Sequence, residues 1–258
     1  MGNKIVLSRR LEAVAAYVTK GNRVCDVCCD HGFVPIYLVQ QGISPGILAM
    51  DVRKGPLMQA HNHIEEHDLA QYIETRLSDG LNAYLIGEAD TLICAGMGGR
   101  LMMQILGACP EKTASFQELI LQPQSEIKEF RRFLREKGYL IANENMIEED
   151  GKFYPIIRAV LKKNIKTIPL QESFALGYKL HDSEEVTDWQ DLEDLYGPLL
   201  LRVRHPVLKR YLEREDRIYG QILVELQTKG LENVRRQERC LEIGRLRQDC
   251  RRVLKLMH

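Results

Sequence analysis

The first 163 residues alternate short apolar runs with amphipathic segments, and this rhythm limits the possible folds more than any other feature. "RVCDV" (23–27), "GILAMDV" (46–52), "IETRL" (73–77), "ADTLICAG" (89–96) and "ELILQP" (118–123) have strand length and are bounded by turn residues. Helical segments lie between them. Residues 8–19 carry Leu11, Val14, Ala15 and Val18 on one face behind a Ser8 cap, and "VPIYLVQQG" (34–42) has proline near its first turn and a glycine stop. Helices are also expected over 54–68, from "GGRLMMQILGAC", and over 125–138 with a Ser125 cap and a Gly138 stop. The rhythm then changes: "YLIANENMI" (139–147) and "KFYPIIRAVLKK" (152–163) flank "EEDG", and a D-G step between apolar runs predicts a hairpin. Five βα units followed by an antiparallel pair specify an α/β domain with a mostly parallel sheet.

Residues 164–172 read as a linker, after which strands vanish. Two long helices joined near Gly230 predict an antiparallel hairpin. Leu231, Val234, Leu241, Leu246, Val253 and Leu254 form a rough coiled-coil stripe in the second. The expected organisation is an α/β domain over 1–163 and an all-α coiled-coil domain over 164–258.

The whole chain is electrically neutral, with 36 Lys+Arg against 36 Asp+Glu, so overall charge selects no partner. Local charge does. Residues 202–258 hold 15 basic and 8 acidic side chains, a net of +7, which reads equally as a solvated coiled-coil face or an RNA-binding stripe. The opening "MGNKIVLSRRLEAVAAYV" is interrupted by Arg9, Arg10 and Glu12, so it offers neither a secretory signal nor a membrane span, and Gly2 lacks a myristoylation context. Seven cysteines, an odd number in a chain this long, read as reduced thiols of a cytoplasmic protein.

Three of those cysteines crowd into "VCDVCCDHGF" (24–33). A structural zinc needs four ligands, usually two C-x-x-C pairs, and Cys94, Cys109, Cys240 and Cys250 supply no second pair. A redox C-x-x-C usually opens a helix rather than ending a strand. Position favours another reading: the loop after the first strand of an α/β sheet is the usual cradle of a nucleotide-like cofactor. Asp26 and Asp30 flank it. Asp51 ends the second strand, where an acidic residue suits a ribose diol. Asp79, in "LSDG" (77–80), follows the third strand and suits an adenine amino group. "AGMGG" (95–99) follows the fourth, with glycines that let backbone and substrate approach closely. Four consecutive strand ends therefore converge on one crevice. A nicotinamide-dependent oxidoreductase would require G-x-G-x-x-G after the first strand, and "CCDHGF" lacks it. His61, His63 and His67 read as surface residues although 63 and 67 share a helix face; Leu101, Met102 and Met103 read as core or pocket lining.

Taken together, Asp26, Asp30, His31, Pro35–Leu38, Asp51–Val52, Lys54–Pro56, Ser78–Leu81, Ala95–Gly99 and Leu119–Pro123 resemble the bacterial tRNA (adenine-22-N1)-methyltransferase family. "LSRRL", "EDGKFYPII" (149–157) and the helical extension extend the resemblance over nearly the whole chain. The family implies a Rossmann-like class I methyltransferase sheet plus a coiled-coil domain, S-adenosyl-L-methionine as cofactor, and methylation of N1 of an adenine in the D-arm region of tRNA. It also implies cofactor contacts from Asp26, Cys28, Asp30, His31, Asp51, Val52, Ser78, Asp79, Gly80, Gly96, Met97 and Gly98, with Gly96–Gly99 beside the target base. Asp30 and His31 are the candidates for catalysis, Asp30 as acceptor from the base N6. Asp26 could equally satisfy loop amides and His31 cap a helix. Arg9, Arg10, Lys54 and Gly99 are candidate RNA contacts. No metal and no membrane partner are expected, and a monomer is. One departure stands out: the family has glycine at the third motif position, and here it is Cys28. That substitution is the one feature favouring an alternative, an RNA-binding protein that keeps the fold with weakened catalysis.

Overall fold

The computed structural model describes residues 4–162, 186–228 and 234–257. It divides into two compact units, Met1–Lys179 and Leu180–His258. The expected linker at 164–172 and the expected joint near Gly230 lie outside the described residues.

The first unit is built on a seven-stranded sheet in the order β3-β2-β1-β4-β5-β7-β6. The strands are β1 (Val24–Val27), β2 (Ile47–Asp51), β3 (Ile73–Leu77), β4 (Thr91–Met97), β5 (Glu118–Pro123), β6 (Tyr139–Glu149) and β7 (Lys152–Leu161). The five expected strands are present and mutually parallel, and β7 joins β5 antiparallel. At the hairpin tip Asp150 and Gly151 both have positive φ, 50° and 70°, the backbone a two-residue type I′ turn needs. Strand order reverses between β1 and β4, so their carboxyl ends diverge into a crevice.

Alternation along each strand decides which helix it meets. Val24, Ala49, Ile93 and Ile120 face α1 (Arg9–Ala15), α2 (Phe33–Gln40) and α3 (Lys54–Glu66), packing on Val14, Ile36 and Ile64. Cys25, Val27, Leu92, Cys94 and Leu121 face the other way, onto Met102 of α4 (Gly99–Ala108), Phe116, and Phe130 and Leu134 of α6 (Ile127–Glu136). The short α5 (Pro110–Thr113) connects α4 to β5. Both faces of the central strands are thus dry, which is why β1, β2 and β5 are buried at every position.

Two expectations need correction. Ser125 does not cap α6: the N-cap is Glu126, at φ 46°, and no side chain caps the helix. Ser125 is committed to the neighbouring helix, its carbonyl accepting from Gly99 N at 3.1 Å. The coiled-coil stripe is corrected only in part: Val253 is buried as expected and Leu246 and Leu254 are half-buried, while Leu231 lies outside the described residues. The second unit contains α7 (Val186–Tyr196), α8 (Pro198–Arg202), α9 (Pro206–Thr228) and α10 (Val234–Leu256). In α10 the buried positions are Ile243, Cys250 and Val253, with Met257 just beyond, while Val234 and Leu241 are exposed. The heptad therefore runs through 243, 250 and 257, and the eye is misled because a cysteine occupies its centre. Helices α9 and α10 pack antiparallel: Cys250 Sγ donates to Leu212 O at 3.1 Å, and Asp216 accepts from Arg247 Nε at 2.8 Å and Arg251 Nε at 2.7 Å.

Candidate cofactor and substrate crevice

A crevice of about 640 Å³ opens at the carboxyl ends of β1, β2 and β4, within the range of small-molecule sites. Asp26, Cys28, Asp30, His31, Asp51, Val52, Gly96 and Met97 line it, together with Arg10. The structure thus brings these sequence-predicted residues together on one crevice. Ser78, Asp79, Gly80 and Gly98 are outside the lining. Ser78 shapes its own loop, donating to Gly80 O at 2.8 Å and accepting from Ala83 N at 3.1 Å. Its backbone N donates to Asp51 O at 3.0 Å, which ties that loop to the end of β2.

The β1–α2 loop has the backbone of a glycine loop, but two of its left-handed positions carry side chains. Cys28 has φ 62° and Asp30 φ 51°, followed by Gly32 at 75°. Positive φ is the reason glycine is favoured at such a position, and a side chain there costs about 1–2 kcal/mol. The Cys28 side chain is half-buried and packs on the core beneath α4 and α6. Burial, with the Asp51 and Asp26 carboxylates nearby, pushes its thiol up to about 11. Burial also raises Cys25, Cys29 and Cys94 well above the ordinary thiol range. All four are therefore thiols at neutral pH, poor nucleophiles and poor metal ligands, and their role is packing.

The two buried aspartates are the polar centre. Asp51 is 2% exposed; its Oδ1 accepts from Arg53 N at 2.8 Å, and its Oδ2 is buried with no hydrogen-bond partner. An orphaned carboxylate oxygen costs stability unless a donor is supplied. Asp26, 5% exposed, accepts no hydrogen bond from the loop amides, so the structure gives no support to the reading in which it satisfies them. Burial first, then the Asp51 charge, raises its carboxyl to about 8. Asp30 is an exposed rim residue, 3.6 Å from His31 Nε2 and 3.8 Å from Arg53 Nη2.

The opposite wall comes from β4 and β5. Pairing slips between Ala95 and Met97, and the extra residue, Gly96, has φ 81°. Bulges of this kind re-aim a strand end beside a site. Gly96 N donates to Gln122 Oε1 at 3.1 Å, and Arg10 Nη1 donates to the same oxygen at 2.8 Å. The Arg10 guanidinium also lies 5.3 Å from the centre of the Tyr154 ring. Arg10, expected on the RNA backbone, is thus inside the crevice, while Arg9 and Lys54 are exposed. Gly98 and Gly99 are correct as close approaches but for a different reason. A β-carbon on Gly98 would meet Ser125 Oγ at 2.9 Å, and one on Gly99 would meet the Ser125 carbonyl. Gly99 is buried in packing and is not placed to touch RNA.

The histidines also differ from expectation: all three are half-buried and engaged. His63 Nδ1 lies 2.9 Å from His31 O, and the Phe33 ring packs beside both imidazoles, 5.1 Å from His63 and 5.7 Å from His31, whose own centroids are 6.1 Å apart. His61 bonds Thr75 and His67 bonds Gln40. Sequence reasoning missed Phe33, Arg53, Gln122 and Gln124. The last two were legible in principle, since "LQPQ" ends the fifth strand on the same sheet edge.

Comparison with known proteins agrees with this geometry. A family model described as a methyltransferase domain matches residues 7–157, more than half of the chain. The Bacillus subtilis tRNA (adenine(22)-N(1))-methyltransferase is 36% identical over 157 residues, which are 61% of this chain and 66% of that relative. The crystal structure of the B. subtilis M1A22 tRNA methyltransferase TrmK superposes with a TM-score of 0.80 at 27% identity, covering 97% of this chain and all of that one. Streptococcus pneumoniae Sp1610 in complex with S-adenosyl-L-methionine superposes at 0.76 with 29% identity, covering 96% of this chain and all of that one. A crevice at the β1/β4 switch point, a glycine-type loop with Cys28 and Asp30 at left-handed positions and these matches agree: the chain belongs to the tRNA (adenine-22-N1)-methyltransferase family.

Proposed function

We propose that this protein uses S-adenosyl-L-methionine to methylate N1 of adenine 22 in tRNA. The observation that carries the reading is Asp51 Oδ2, a buried acceptor without a donor at the edge of the crevice. A ribose hydroxyl supplies such a donor. The positive-φ loop at Cys28 and Asp30 brings backbone against the same space, and Asp26 offers a partnerless carboxylate to the cationic methionine part. The residues present therefore fit the cofactor. Val52, with Ser78, Asp79 and Gly80, is assigned to its adenine end. Gly96 and Met97 are assigned to the side facing the target base, and His31 to the rim.

S-adenosyl-L-methionine supplies a methyl group on a sulfonium, an electrophile that needs no activation. The adenine N1 lone pair needs none either, so the protein's task is alignment and exclusion of water. Asp51 and the 26–31 loop hold one side of the crevice; the Gly96 bulge, buttressed by Gln122 and Arg10, forms the other. As N1 becomes alkylated the base acquires positive charge, which an acceptor at N6 stabilises. N1 lies on the Watson–Crick edge, so the base must leave its partner before it reacts.

We assign residues 1–163 to methyl transfer and 164–258 to tRNA contact, with Arg9, Lys54 and the basic stretch 202–258 holding phosphates. The protein is assigned to the cytoplasm and to a monomeric state; no helix among the described residues is long and apolar enough to cross a membrane. The test is labelled-methyl transfer to an unmodified tRNA transcript and to one with adenine 22 changed to guanine. Incorporation into the first alone supports the reading. Incorporation into both, or into neither while the cofactor binds, rejects it, the latter in favour of a weakened RNA-binding protein.

A further inference from the structure

We propose that Gln124 identifies the target base as adenine, pairing its carboxamide with N6 and N7 and leaving N1 free for the methyl group. This rests on the reading of the protein as an adenine-N1 methyltransferase. Gly96 forms a side-chain-free floor on the β4–β5 side of the crevice. Two polar groups flank it: Arg10 Nη1 and Gln124 Nε2 lie 3.6 and 3.9 Å from where a Gly96 β-carbon would be. Gln124 lines the crevice and is exposed, and its carboxamide makes no hydrogen bond among the described residues. Its backbone is nonetheless fixed, with N donating to Met97 O at 2.9 Å across the bulge.

The chemistry selects among the crevice side chains. An adenine whose N1 must stay bare still presents its N6 donor and its N7 acceptor side by side on one edge. A reader of that edge needs one acceptor and one donor side by side, which a carboxamide provides. Arg10 has donors only. Asp30 has acceptors only when ionised and lies within reach of Arg53 and His31 on the other wall. Gln122 has the right groups, but its side chain is fully buried and its Oε1 already accepts from Gly96 N and Arg10 Nη1. Gln124 is the uncommitted carboxamide at the floor. The N6 acceptor therefore passes from Asp30, the residue suggested by sequence, to Gln124. Guanine, with acceptors at both O6 and N7, leaves the carboxamide oxygen facing an acceptor and is refused.

The test uses the full chain and tRNA carrying adenine or 7-deazaadenine at position 22, with kcat/KM measured for wild type and Gln124→Leu. Loss of N7 is expected to lower wild-type kcat/KM roughly tenfold. Gln124→Leu should lose a similar factor on adenine, be indifferent to 7-deazaadenine, and bind S-adenosyl-L-methionine as wild type does in calorimetry. A variant as sensitive to loss of N7 as wild type, or a wild type indifferent to it, overturns the assignment of Gln124 alone. A wild type that transfers no methyl to the adenine tRNA overturns the functional reading, and this inference with it.

Discussion

At the scale of single residues, the site depends on two buried carboxylates and one misplaced thiol. Asp26 is held near 8 by burial and by Asp51, whereas an unfolded aspartate titrates near ~3.9. Between those values the folded protein keeps a proton the unfolded chain has released. Its contribution to stability is complete below about 4 and is lost as pH rises through about 8. Thermal melts of the protein without cofactor should therefore show Tm falling from pH 5 to 9, with a shallower fall in Asp26→Asn; equal slopes would contradict the assignment. Cofactor affinity should run the other way, strengthening toward pH 8 as the carboxylate ionises against a cation. Cys28 occupies a left-handed position at φ 62°, so Cys28→Gly should relieve strain of about 1 kcal/mol, partly offset by greater freedom of the unfolded chain. Calorimetry should find S-adenosyl-L-methionine bound by wild type and bound as tightly or a few-fold more tightly by Cys28→Gly. Binding by the glycine variant alone would mean that the thiol has closed the site.

At the scale of elements, what matters is how strand ends are held. The bulge at Gly96 is fixed from below by Gln122, and α4 is seated against Ser125 by two glycines. Gly99→Ala would drive a methyl group into the Ser125 carbonyl. Overpacking of this kind costs about 1–3 kcal/mol, which denaturant unfolding should detect while the far-ultraviolet spectrum stays native. An unchanged midpoint would show that α4 is not seated this way. The strands, the D-G hairpin and the acidic strand ends were legible because each rests on local chemistry: short apolar runs, turn residues, and a carboxylate at a sheet edge. The Ser125 cap, the α10 seam and Gly99 were misread because each depends on a partner remote in sequence. Ser125 gives its carbonyl to Gly99, Cys250 fills a core position against Leu212, and Gly99 is small for Ser125 rather than for RNA. Gln124 was legible in "LQPQ" as a residue of the sheet edge, but not as a free carboxamide, because that depends on the Gly96 and Arg10 contacts that occupy Gln122.

At the scale of the whole molecule, a neutral chain separates its chemistry. The sheet unit gathers carboxylates around a cofactor-sized crevice, and positive charge is concentrated in the last helices, residues 202–258 carrying a net +7 with Arg245 and Lys255 exposed on α10. If that charge holds tRNA phosphates, log affinity should fall linearly with log salt. Replacing Arg245 and Lys255 by alanine should reduce the slope by about 1–2 without altering cofactor binding. A slope near zero in wild type, or one unchanged by the double substitution, would remove the helical unit from the tRNA interface. The central claim, that the crevice directs a methyl group to N1 of one adenine, is tested most directly by nucleoside mass spectrometry of tRNA treated with wild-type protein and S-adenosyl-L-methionine, with the modified position mapped by fragment analysis. The account predicts 1-methyladenosine at position 22 and nowhere else. N6-methyladenosine, a methylated guanine, or 1-methyladenosine at another position would contradict it.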